Sequence, residues 1–69
     1  MTTTKVVELV GESQKSWEDA VDQALQEASQ TIDNVTGVEV LNMTASVDNG
    51  KISGYKVNLH LAFPVKENR

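Results

Sequence analysis

The chain has no cysteine, one histidine, one proline and one each of tryptophan, tyrosine and phenylalanine. Without cysteine there is no disulfide. With His60 as the single histidine there is also no ordinary structural zinc site, which takes Cys and His in sets of four. Lys and Arg are few: Lys5, Lys15, Lys51, Lys56, Lys66 and Arg69 are scattered through a chain of net charge −4. That excludes a nucleic-acid binder, because phosphate recognition needs clustered basic side chains. No apolar run approaches the ~18 residues of a membrane span. The opening MTTTKVVELVG lacks the basic-then-apolar plan of a signal peptide. A cytoplasmic location is expected, and the absence of cysteine is compatible with it.

What remains is small. Residues 1–69 are read as a single domain. A core of this size rarely supplies more than about 3–5 kcal/mol. With disulfides and structural zinc excluded, self-association is the remaining way to stabilise it.

The one long helical signal runs from Ser16 to Asp33. Trp17, Ala20, Val21, Ala24, Leu25, Ala28 and Ile32 fall on a single stripe of a helix. Glu18, Asp19, Asp22, Gln23, Gln26, Glu27 and Gln30 fall off it, toward water. Ser16 is a good N-cap, and Asp19 is placed to reach back to its amide as in a capping box. The early acids suit the positive end of the helix dipole.

Three strands are predicted around this helix. Lys5–Val10 is the first, with Val7 and Leu9 on one face and Val6, Glu8 and Val10 on the other; Gly11 is expected to end it. Val38–Val47 is the second. Glu39, Leu41, Met43, Ala45 and Val47 form its better core face. Asp48-Asn49-Gly50-Lys51 is a strong hairpin signal. Ile52–Phe63 is the third and has the cleanest alternation: Tyr55, Val57, Leu59, Leu61 and Phe63 against Gly54, Lys56, Asn58, His60 and Ala62. Pro64 is expected to end pairing, followed by a solvated tail from Lys66 to Arg69. The fold class is α+β, in the order β-α-β-β. A three-stranded antiparallel sheet curls around one helix, with the first strand beside the third. Its two open edges invite pairing between subunits.

Catalytic machinery is missing from the pattern. The serines have no adjacent base or glycine elbow, and the four glycines form no phosphate loop. A lone strand histidine such as His60 is read as structural or solvated, able to pair with a carboxylate. The helix acids Glu18, Asp19, Asp22 and Glu27 could take a hard cation if several helices converged. Trp17 is read as a core or interface residue. The residues describe a small, acidic, oligomeric, non-enzymatic binding or structural module.

Four stretches together resemble the dodecin family: KVVELVGES at Lys5–Ser13, SWEDAVDQAL at Ser16–Leu25, TIDNVTGVEV at Thr31–Val40 and YKVNLHLAF at Tyr55–Phe63. The ordered set, with LVG-x-S before the helix and Y-x-V-x-L-x-x-x-F in the third strand, covers nearly the whole chain. The resemblance implies a sheet wrapped on its helix and a hollow dodecameric shell. It also implies a storage role, with flavin rings stacked between tryptophans at two-fold-related sites.

This chain departs from the family at that site. The stacking tryptophan's position, just before the start of the second strand, is Gly37. The flavin-facing glutamine, after the third-strand tyrosine, is Lys56. Loss of a ring removes a stacking contribution of about 0.5–1.5 kcal/mol per aromatic pair. Lysine replaces an amide that both donates and accepts with a donor-only cation. Dodecin-like proteins lacking the tryptophan are associated with calcium, and the Ser-Trp-Glu helix start is similar to theirs. The expectation is therefore a homo-oligomeric, dodecameric shell holding a small ligand or a divalent cation, with flavin (riboflavin or FMN) or calcium as the possible ligands. Gly37 and Lys56 are its altered ligand positions, and Glu18, Asp19 and Asp22 are its metal candidates. Tight flavin binding is not expected. The alternative is a flavin-storing protein that uses contacts other than tryptophan.

Overall fold

A computed structural model describes residues 3–65. Its elements are β1 (Thr4–Ser13), α1 (Trp17–Ala28), β2 (Gly37–Asp48) and β3 (Lys51–Pro64). They form one three-stranded sheet in the order β1-β3-β2, with both pairings antiparallel. The expected β-α-β-β fold is present. The strand with the cleanest alternation lies at the centre, and Val57, Leu59 and Leu61 on its helix side are completely buried. Each such side chain contributes about 1.5–3 kcal/mol by leaving water.

The helix lies across β1 and β3. Ala20, Ala24 and Ala28 are its buried residues, while Trp17, Val21 and Leu25 pack at its flanks. Small residues on the central line let the helix axis approach the sheet closely. Gly11 is part of that approach. It does not end β1, as its glycine character suggested, but sits buried inside the strand against Ala20.

The helix is also shorter than the stripe implied, ending at Ala28 rather than Asp33. Ser29, Gln30 and Thr31 close it with short turns, Gln30 N–H to Glu27 O and Thr31 N–H to Ala28 O, at 3.2 and 3.1 Å. Asn34 then adopts φ 59°, a left-handed conformation that redirects the chain. Ile32 reaches the core from this turn instead of from the helix.

The second strand departs most from expectation. Its register slips between Val40 and Asn42, so Leu41 is an extra residue opposite β3. Before the bulge, Val38 and Val40 share the helix side with Leu61 and Leu59, and Glu39 pairs outward with His60. After it, Met43 and Ala45 share the helix side with Val57 and Tyr55. The expected single face of Glu39, Leu41, Met43, Ala45 and Val47 therefore does not exist. Nor does β2 become core: every residue from Val38 to Asp48 is exposed, because the helix does not extend over it.

The hairpin forms as expected, with Asn49 at φ 53° and Gly50 at φ 76°. Positive φ at both positions is what a two-residue type I′ turn requires. Pro64 is the last residue of β3 rather than a stop before pairing ends, and Val65 N–H still bonds Thr3 O at 2.8 Å. In the alternating ladder, residue 64 turns its nitrogen toward β2, which begins at Gly37 opposite Ala62. The missing N–H thus falls where no ladder partner stands. The tail predicted at Lys66–Arg69 lies outside the described residues.

Candidate functional site

The face of the sheet away from the helix carries the polar half of β3. Its cross-strand rows follow from the register. Val6 and Gly37 flank Ala62, Glu8 and Glu39 flank His60, Val10 and Asn42 flank Asn58, and Glu12 and Thr44 flank Lys56. Alternation along a pleated strand puts all of these on one side.

Gly37 and Lys56 are therefore on the same face but in different rows. Six residues of β3 separate them, about 20 Å along an extended strand. One chain does not bring them to a common point. Gly37 is half-buried at the start of β2, beside the Ala62 side chain. Just before it, Thr36 N–H bonds Ala62 O at 2.9 Å, anchoring the strand's entry. Lys56 borders an open hollow of about 350 Å³, lined also by Glu12, Ser13, Ser46, Gly54 and Tyr55. Gly54 leaves the sheet without a side chain at that point. Tyr55 in turn takes the ring of Trp17 edge-on, at 4.8 Å and 78°.

Trp17 is half-buried between α1 and the sheet, and its Nε1–H donates to Thr44 O at 2.8 Å. This bond joins the start of the helix to β2. The indole is occupied by internal contacts, as the reading of Trp17 as a packing residue expected.

The helix acids do not gather. Asp19 is half-buried and turned toward β1, where its Oδ2 accepts from Ser13 Oγ at 2.6 Å. Its own N–H donates to Ser16 Oγ at 3.0 Å, so Ser16 caps the helix as expected. The return half of the capping box is replaced by the Ser13 contact. Glu18 and Asp22 are exposed. Among the described residues, no three His, Cys, Asp or Glu side chains converge to hold a metal ion. A cation held by Glu18, Asp19 and Asp22 would need donors from another copy.

Two outward features go beyond what the sequence pattern indicated. Asn58 Nδ2 donates to Asn42 Oδ1 at 2.8 Å across the bulge. His60 stands between Glu8 and Glu39, its Nε2 3.9 Å from Glu8 Oε1 and its Nδ1 3.7 Å from Glu39 Oε1. Pairing of His60 with one carboxylate could be read from its strand position. The second carboxylate could not, because strict alternation put Glu39 on the opposite face.

Among the described residues, no helix is long and apolar enough to cross a membrane. The dodecin family model matches residues 3–66. The calcium dodecin of Mycobacterium tuberculosis is 33% identical over 67 residues, covering 96% of this chain and 93% of that protein. The structure of dodecin from Streptomyces coelicolor superposes with a TM-score of 0.93 at 31% identity, over 97% of this chain and 96% of that one. A crystal structure of the Mycobacterium tuberculosis calcium dodecin, described as calcium-chelating with a novel calcium-binding site, gives a TM-score of 0.81 at 31% identity, with coverage of 97% and 96%. By sequence, topology and superposition together, the chain belongs to the dodecin family.

Proposed function

We propose that this protein is a non-catalytic storage or buffering dodecin of the cytoplasm. Its subunits form a hollow dodecameric shell around a divalent cation, calcium first, or another small ligand, and it does not hold flavin tightly. The observation that carries the reading is that Gly37 and Lys56, which the resemblance sets at the family's ring-bearing and glutamine positions, both lie on the outward sheet face. A flavin is flat, with apolar faces and a polar edge, so a tight site needs an aromatic surface and matched hydrogen bonds. Gly37 offers no ring, and a Cβ placed there would stand 3.9 Å from the Ala62 methyl. Similarity to a calcium dodecin supports calcium as the ion.

Self-association is supported by apolar surface that one chain leaves open. Val38, Val40 and Met43 on the helix side of β2 are 41%, 45% and 58% exposed, and Val6 and Val10 on the outward face of β1 exceed half. Domains this small bury too little of their own surface to be robust alone. Glu18, Asp19 and Asp22 remain the acids that symmetry could multiply around a cation.

Native mass spectrometry of untreated protein tests the whole reading, because it reports subunit number and bound mass together. A dodecamer free of flavin mass, gaining calcium on titration, is the expected result. A folded monomer at micromolar concentration, or a flavin-loaded shell, would overturn it.

A further inference from the structure

The row Glu8–His60–Glu39 has no part in the reading above. Three adjacent strands hold it in register on the outward face. Its gaps of 3.9 and 3.7 Å are longer than hydrogen bonds, which lie at roughly 2.7–3.2 Å. They are closer to the spacing of two ligands around a tetrahedral ion. With metal–nitrogen and metal–oxygen distances of about 2.1 Å, those ligands stand about 3.4 Å apart. Both carboxylates, at 64% and 72% exposed, have open space in which to turn and close the difference, while the imidazole, at 36%, stands on the central strand.

We propose that this row binds a divalent transition-metal ion of the zinc or nickel type. His60 Nε2 and Glu8 are its protein ligands, and water completes the shell. With the ion bound, Glu39 closes from 3.7 Å to accept the Nδ1–H of the same ring. Imidazole selects this class of ion, whereas calcium takes oxygen ligands. The division of labour follows ordinary metal chemistry: a ligating histidine donates its other ring N–H to a carboxylate or carbonyl, which orients the ring. Here a carboxylate stands at each nitrogen, so one can ligate and the other can orient.

The surroundings favour a cation. The side chains next along the same face are Val6 and Val10 on β1 and Asn58 and Ala62 on β3, with Gly37 before Glu39 on β2. The nearest basic side chain on that face of β3 is Lys56, four residues along, about 13 Å on an extended strand. When bound, the ion would tie the edge strand β1 to the central strand. The proposal is independent of calcium storage, since ion class and ligands both differ.

Calorimetric titration of chelator-stripped oligomer with zinc chloride tests it, using the natural protein and the His60→Gln, Glu8→Gln and Glu39→Gln variants. Zinc affinity is expected to fall at least tenfold in His60→Gln and Glu8→Gln. Glu39→Gln is expected to lose about 10–100-fold, the usual cost of removing an outer-shell partner. Calcium binding should be unchanged in His60→Gln, which separates this site from the storage reading. Zinc affinity in His60→Gln within twofold of the natural protein would overturn the proposal. A second readout needs no substitution: zinc should shift the His60 ring resonances of the natural protein at the lowest metal ratios. Shifts elsewhere with that ring unmoved would also overturn it.

Discussion

Gly11 lies against the backbone of Ala20. A Cβ at Gly11 would stand 2.4 Å from the Ala20 carbonyl oxygen and 3.1 Å from the Ala24 side chain. The nearest obstacle is main chain, so no rotamer change relieves it. Gly11→Ala should therefore push α1 off β1 and lower stability by about 1–3 kcal/mol, the usual range for overpacking. Denaturant unfolding of the purified variant measures this. A midpoint equal to that of the natural protein would mean that the helix sits further from β1 than described.

Trp17 tests the attachment of β2. Trp17→Phe keeps a ring beside Tyr55 but removes the Nε1–H bond to Thr44 O. The expected loss is about 0.5–1.5 kcal/mol. It should be local, so hydrogen exchange at the amides flanking Thr44 should accelerate while those of β1 stay as they were. Uniform acceleration across the sheet would instead mark a global effect.

Flavin binding should be weak in the natural protein and recoverable by substitution. Gly37 is not among the residues with positive φ, and a Cβ there would meet the Ala62 methyl at 3.9 Å, an ordinary contact. Backbone strain therefore does not block a larger residue. Gly37→Trp combined with Lys56→Gln should bind riboflavin or FMN, visible as quenching of flavin fluorescence on titration. Strong quenching by the natural protein at submicromolar concentration would show that the ring at position 37 is dispensable.

Calcium should raise the melting temperature relative to chelator, since a ligand that prefers the folded state stabilises it by mass action. Replacing Glu18 and Asp22 together with glutamine and asparagine should reduce the rise, with a loss in chelator limited to the roughly 0.3–1 kcal/mol that Glu18 contributes in the first turn of the helix, because both side chains are exposed. Asp19 is unsuitable for this test: its carboxylate also holds Ser13. No difference in melting between chelator and millimolar calcium would remove the support for ion storage.

The fate of Glu39 illustrates where reading the chain stopped. Alternation through Val38–Val47 grouped it with Leu41 and Met43, and that pattern is self-consistent. One extra residue at Leu41 reverses the phase, sending Glu39 outward to His60 while Met43 stays on the helix side. A bulge leaves no mark in periodicity beyond a phase change, and a strand with both faces mixed hides one. The candidate positions themselves were legible only through family resemblance. Gly37 and Lys56 share a face, yet the ladder sets them far apart along β3 within one chain.

Local pattern was enough for the element order, the Ser16 cap, the Asn49-Gly50 turn and the buried face of β3. Each depends on neighbours within a few residues, through backbone dihedral preference or the pleat of one strand. The reach of α1, the burial of Gly11, the exposure of β2 and the Glu8–His60–Glu39 row were decided only in three dimensions. They depend on contacts between segments remote in the chain. The helix is wide enough for two strands, so it covers β1 and β3 and leaves the third open. The partners of His60 come from strands that lie 52 and 21 positions away in sequence, aligned by hydrogen-bond register rather than by any local signal.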